Sequence, residues 1–129
     1  MIVADCSAVV DALTGAPGSH EVRTVLADGD LHAPTLLDYE VPSALRGLVR
    51  RDEISTTRAV EALADFDALP IRRWNSAPAL RARVFAMRHT ITAYDAAYVA
   101  LAEALGCPLL TRDVRLARAA GAFAEVQVR

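Results

Sequence analysis

The stretch Thr92-Ala93-Tyr94-Asp95-Ala96-Ala97-Tyr98-Val99-Ala100-Leu101-Ala102-Glu103-Ala104-Leu105-Gly106, followed by Cys107-Pro108-Leu109-Leu110-Thr111-Arg112-Asp113, decides the fold. Tyr94, Tyr98, Leu101 and Leu105 recur at helical spacing, Ala96, Ala97, Ala100 and Ala104 fill the neighbouring face, and Gly106 marks a C-terminal stop. A helix apolar on most sides is expected to be buried. Asp95 stands in its first turn, and Asp113 closes the run Leu109-Leu110-Thr111, which reads as a buried strand. Helix starts and strand ends share one edge of a parallel α/β layer, the edge at which such folds place their sites.

Working outward, residues Met1 to Ala4 form a short apolar strand ending on Asp5, and Ser7 to Leu13 carry helical spacing up to Gly15. Ser19 is placed to cap a helix from His20 to about Ala27. Leu31-His32-Ala33 reads as a second strand stopped by Pro34. Thr35 then opens a longer helix through Arg51, with Leu37, Val41, Leu45 and Leu48 inside and Thr35-x-x-Asp38 as a capping box. Pro42 predicts a kink or a restart near Tyr39 to Val41. Ser55 caps a helix carrying Val60, Leu63 and Phe66, and Pro70 to Trp74 is extended. Asn75 is the expected cap of a helix with Leu80, Val84 and Met87 inside. Val114 to Ala120 is a short helix closed by Gly121, and Val126 to Val128 a final strand. Strands separated by helices predict a parallel sheet covered on both faces.

At 129 residues the chain is read as one domain, able to bury roughly two thirds of its unfolded surface. Its 53% hydrophobic and 5% aromatic content reflects Ala, Val and Leu, suited to helices on an aliphatic sheet. No run approaches the roughly 20 apolar residues of a membrane span, and no basic leader precedes the first strand, so a cytoplasmic protein is expected. Cys6 and Cys107 are too few for a disulfide framework or zinc cage, and the predicted elements set them at opposite sheet edges as inert thiols. A net charge of −2 excludes a broadly basic surface. All 14 basic residues are Arg, whose planar forks suit phosphate.

Three acids have ordinary explanations. Asp5 suits the cap of the helix that follows it, Thr92-x-x-Asp95 is a capping box, and Asp113 suits the cap of the helix at Val114. Together they place like charges at one sheet edge, where they repel unless something offsets them. Glu40 is not needed as a cap and lies beside the apolar stripe of its helix, where a Glu needs a partner. Four acids with no Lys point to a hard divalent cation such as Mg²⁺ or Mn²⁺ rather than to a salt bridge. Asp11, Asp28, Asp52 and Glu61 read as solvated or turn residues.

Taken in order, Ile2-Val3-Ala4-Asp5-Cys6-Ser7, the Glu40 helix, Tyr94-Asp95-Ala96-Ala97-Tyr98-Val99-Ala100-Leu101-Ala102 and Leu110-Thr111-Arg112-Asp113 make the chain resemble PIN-domain ribonucleases from end to end. In particular it is similar to the VapC-type toxins of bacterial toxin-antitoxin pairs. The resemblance implies a single PIN-like domain over residues 1–129, an α/β/α sandwich around about four or five parallel strands, and Mg²⁺ or Mn²⁺ held by Asp5, Glu40, Asp95 and Asp113. It also implies endonucleolytic RNA cleavage, a homodimer and a cognate antitoxin. Asp5 and Asp95 are then the most direct ligands, with Glu40 and Asp113 supporting them or a second ion. Ser7 and Thr111 are candidates to bond this shell, and Arg46, Arg50, Arg112 and Arg115 to contact RNA phosphates. A phosphoacceptor receiver domain would place a Lys beside the acids, and a haloacid-dehalogenase phosphatase a second Asp at position 7, where Ser7 stands. The remaining alternative is a catalytically silent PIN-like binding module.

Overall fold

The computed structural model describes residues 1–128. Its elements are β1 (Ile2–Ala4), α1 (Cys6–Thr14), α2 (His20–Asp28), β2 (Leu31–Pro34), α3 (Leu37–Arg50), α4 (Thr56–Ala68) and β3 (Ile71–Trp74). There follow α5 (Pro78–Ala86), α6 (Ala93–Leu105), β4 (Leu109–Thr111), α7 (Val114–Ala120) and β5 (Val126–Val128). The strands form one sheet in the order β3-β2-β1-β4-β5, and every neighbouring pair is parallel. This is the α/β architecture predicted above. Val3 is paired with His32 on one side and Leu109 on the other, and Ala4 with Leu110.

The chain leaves β1 toward β2 and β3 and then returns to place β4 on the other side of β1. The order therefore reverses between β1 and β4, and the crevice beyond the C-terminal ends of such strands is where open α/β sheets bind ligands. Asp5 leaves β1 there, and Arg112 and Asp113 leave β4.

Aliphatic packing holds the frame. Val3, Ala4, Leu109 and Leu110 are wholly buried, as expected of strands covered on both faces. Helix α1 packs on α2, α3 and α4, whereas α6 packs on β1, β2 and β4 with α5 beside it. Thr92 caps α6 by accepting from the Asp95 amide, and Gly106 ends it in the left-handed region at φ 63°. Ser55 likewise caps α4 through the Arg58 amide. The two cysteines lie at the start of α1 and just before β4, and both are free.

Several local expectations are corrected. Thr35 does not cap α3, which starts at Leu37 without a side-chain cap, because Asp38 pairs with Arg73 of β3 at 3.0 Å instead. Helix α3 runs unbroken through Pro42, so no restart occurs. The carbonyl left without its helical donor belongs to Asp38, an exposed residue of the first turn, so no buried bond is lost. Neither Ser19 nor Asn75 caps the following helix through its side chain, and α5 begins at Pro78. Helix α4 buries Ala62 and Phe66, while Val60 and Leu63 face outward. Tyr94 is also exposed, so the buried face of α6 runs through Ala96, Tyr98, Val99 and Leu101.

Helix α5 has no buried residue. With Leu36, Trp74, Ile91 and Tyr94, its Leu80, Val84 and Phe85 line an apolar groove of about 550 Å³. Among the described residues, no helix is long and apolar enough to cross a membrane.

The packing sets a contrast that denaturant titration can read. Leu109→Ala, in the centre of the sheet, is expected to lose about 2–5 kcal/mol of unfolding free energy, and Val60→Ala, on the open side of α4, less than about 0.5 kcal/mol. Equal urea midpoints for the two variants would contradict this packing.

Candidate active site

Asp5 has extended backbone (φ −84°, ψ 172°) between β1 and α1, which aims its carboxylate back at the first turn of the helix. Oδ1 accepts from the Ala8 amide at 2.9 Å and the Ser7 hydroxyl at 2.7 Å, and Oδ2 accepts from the Thr111 hydroxyl at 2.5 Å. Only 4% of the residue is exposed. Burial pushes the Asp5 carboxyl above its ordinary value of 3.8, the bonds from Thr111, Ala8 and Ser7 oppose that rise, and the charge of Asp95 adds to it.

The two hydroxyls are themselves fixed. Ser7 Oγ accepts from the Arg112 amide at 2.9 Å, and Thr111 Oγ1 from the Asp113 amide at 3.0 Å. Each hydroxyl has one proton, already donated to Asp5, so their mutual approach at 3.2 Å is a contact without a proton between them. A carboxylate has about four acceptor positions, two on each oxygen. Ala8 and Ser7 fill those of Oδ1, and one position on Oδ2 remains open.

The other acids reach the same edge from three helices. Asp95 lies in the first turn of α6; burial raises its carboxyl, the charge of Asp113 raises it further, and the Thr92 hydroxyl opposes both. Asp113 caps α7, its Oδ1 accepting from the Arg115 amide at 2.9 Å and the Leu116 amide at 3.2 Å. Glu40, half-buried on α3, accepts from the Tyr98 hydroxyl at 2.5 Å through Oε1. Burial raises the Glu40 carboxyl most, Tyr98 opposes that, and Asp95 and Asp5 raise it further. Asp95 is therefore electrostatically coupled to each of the other three acids, and among the described residues no Arg contributes to the raised carboxyls of Asp5, Glu40 and Asp95.

The capping readings of Asp5 and Asp113 thus hold alongside their clustering. All donors in the cluster are oxygen, a set that suits Mg²⁺ or Mn²⁺. Cys6 is close by, but burial foremost, then the charges of Glu40, Asp5 and Asp11, push its thiol up to about 12. It stays protonated at neutral pH in the metal-free protein. As the side chains stand, no three His, Cys, Asp or Glu among the described residues converge on one ion position.

The arginines divide. Arg112 is committed to the protein: Nε donates to Asp11 Oδ2 at 2.9 Å, Nη1 to the Gly18 carbonyl at 2.7 Å and Nη2 to the Pro17 carbonyl at 2.8 Å. It pins the loop between α1 and α2, which makes it a poor phosphate contact, and Asp11 is its partner rather than a solvated charge. Arg115 is exposed and lines a cavity of about 330 Å³ with Thr90, Thr92, Asp95 and Asp113. Arg46 and Arg50 are exposed on α3. The Tyr98 bond to Glu40 was not foreseen from the sequence. Its signal was Asp95-x-x-Tyr98, one helical turn, which puts both residues on one face.

Comparison with known proteins agrees with this geometry. The PIN domain family model matches residues 2–122. Ribonuclease VapC1 of Mycobacterium tuberculosis is 48% identical over 130 residues, covering 98% of this chain and 96% of the relative. Ribonuclease VapC12 of the same organism is 41% identical over 128 residues, covering 99% and 98%. Among solved structures, PAE2754 from Pyrobaculum aerophilum superposes with a TM-score of 0.72 at 25% identity, covering 97% of this chain and 82% of that one. VapC20 of M. tuberculosis, described as a Sarcin-Ricin loop cleaving toxin, shares the fold with a TM-score of 0.69 at 17% identity, covering 98% and 99%. VapBC2 from Rickettsia felis, solved bound to a DNA fragment from their promoter, does so at 0.70 and 12% identity, covering 99% and 98%. By the family match and by near-full-length identity to VapC ribonucleases, the chain belongs to the PIN-domain family.

Proposed function

We propose that the chain is an endoribonuclease acting as the toxin of a toxin-antitoxin pair, and that Asp5, Glu40, Asp95 and Asp113 hold the Mg²⁺ or Mn²⁺ its reaction requires. One observation carries the reading: Asp95 is coupled to three further carboxylates at the strand-order reversal, and none of the four forms an ion pair with a cation among the described residues. Asp5 would bind through the open position of Oδ2, Asp95 beside it, and Glu40 and Asp113 through the oxygens that Tyr98 and the α7 amides leave free. A bound divalent ion offsets negative charge on phosphoryl oxygens and makes water a better nucleophile at neutral pH. Ser7 and Thr111 keep Asp5 oriented and favour its ionised form by donating to it. Arg115 reaches RNA phosphate from the cavity wall beside Asp95 and Asp113, and Arg46 and Arg50 extend the basic contacts along α3. All four acids being present, nothing favours the silent binding module.

A cognate antitoxin protein is the partner class, supported by a solved structure of the same fold described as a toxin-antitoxin complex from Klebsiella pneumoniae. For the homodimer, the apolar groove along α5 is the matching surface. Phe85 and Tyr94 are 67% and 68% exposed on it, and a contiguous exposed apolar patch marks an interaction face.

Cleavage tests the acids first. Asp5→Asn and Asp95→Asn are each expected to slow cleavage of mixed RNA in Mn²⁺ by more than about a hundredfold, since even groups one step removed from a metal cost about 10–100-fold. Glu40→Gln and Asp113→Asn are also expected to be severe. Wild-type rates for the Asp95 variant would remove Asp95 from the site.

Stability provides a second check through the sign of the charge effect. A carboxyl raised in the fold contributes stability that is present below its unfolded value, here 3.8 for Asp95, and lost as pH rises through the folded value. In EDTA, Asp95→Asn is therefore expected to gain on the wild type as pH rises from about 4 to neutrality. Manganese reverses the order, stabilising the wild type by about 2.7 kcal/mol at a hundredfold excess over its dissociation constant and the variant by far less. A wild-type melting temperature indifferent to both ions would end the metal assignment.

Light scattering addresses assembly. The wild type is expected at twice the chain mass, and Phe85→Glu at the monomer mass with its far-ultraviolet circular dichroism unchanged. A monomeric wild type would refute the dimer.

A further inference from the structure

Glu40 reaches the acid cluster on a flexible side chain, and it forms no ion pair among the described residues. Its partner comes from another helix group: Tyr98, 58 residues away in sequence, donates to Oε1 at 2.5 Å. Tyr98 is 1% exposed, so its ring is locked by packing, and a buried hydroxyl needs the bond it makes. The same α6 face carries Asp95 one turn earlier, so one helix supplies an acid to the cluster and the restraint on a second acid. A phenylalanine would fill this apolar space equally well. The hydroxyl is what the carboxylate uses.

We infer that Tyr98 is a positioning residue that holds Glu40 by one oxygen and leaves the other free for the divalent ion. This rests on the proposal that Glu40 helps to hold that ion. Groups that orient metal ligands typically change metal affinity by about 10–100-fold. Tyr98 acts on the ion only through Glu40, so its effect has to vanish when Glu40 is changed.

The experiment measures Mn²⁺ affinity by electron paramagnetic resonance of the free ion for four proteins: wild type, Tyr98→Phe, Glu40→Gln and the double variant. Tyr98→Phe is expected to bind Mn²⁺ about tenfold more weakly, and the double variant as weakly as Glu40→Gln alone. Wild-type affinity in Tyr98→Phe beside a loss in Glu40→Gln overturns the role of Tyr98 but keeps Glu40 as an ion holder. A further loss on adding Tyr98→Phe to Glu40→Gln shows that Tyr98 does not act through Glu40. Undiminished affinity in Glu40→Gln overturns both. Should Tyr98→Phe fail to fold, Tyr39→Phe/Tyr94→Phe leaves Tyr98 as the sole tyrosine. Its near-ultraviolet absorption is then expected to shift with Mn²⁺ at the affinity measured by resonance, and an unchanged spectrum at saturation overturns the inference.

Discussion

Asp5 carries a carboxylate into the sheet edge with 4% of its surface exposed, and a charge there is tolerated only where donors surround it. Those donors come from both sides of the strand-order reversal. Ala8 and Ser7 follow β1, and Thr111 ends β4. The bonds therefore do two jobs at once, satisfying a buried acid and tying the carboxyl ends of the two central strands together. Because Ser7 and Thr111 are in turn held by the Arg112 and Asp113 amides, the arrangement is closed, and one Asp5 acceptor position is left unfilled.

The same economy recurs at the other acids. Asp113 spends one oxygen capping α7 and Glu40 spends one on Tyr98. Helix caps fix side-chain direction, and direction is what a ligand set needs. The accompanying repulsion is a standing charge on the folded state, visible as carboxyls at Asp5, Glu40 and Asp95 all raised by burial and by one another.

What could be read from the sequence follows from how local each signal was. The helices capped by Ser55 and Thr92, the left-handed stop at Gly106 and the acids at Asp5, Asp95 and Asp113 depend on residues within one turn, and all were legible. The Thr35 capping box failed because Asp38 found Arg73 across 35 residues of chain, a tertiary ion pair with no local signature. Val60, Leu63 and Tyr94 were apolar at the right spacing, yet the packed faces of α4 and α6 run through Phe66 and Tyr98 instead. Glu40 was legible as a residue needing a partner. That the partner is the Tyr98 hydroxyl was not, since the pairing exists only once α3 and α6 meet. The bonds of the Arg112 guanidinium to Asp11, Pro17 and Gly18 were not legible for the same reason, since these partners are far away in sequence.

Arg112 joins two levels of the molecule that otherwise have no common part. Its side chain fastens the loop between α1 and α2, where Gly18 takes a φ of 76°, while its backbone amide holds the Ser7 hydroxyl against Asp5. The loop's geometry is thus anchored to the same residue that orients one of the acids. Loops are ordinarily the places where chains lengthen and shorten freely. Here a change in loop length would pull on a strut whose far end is the acid shell, so this surface turn is as constrained as a core residue.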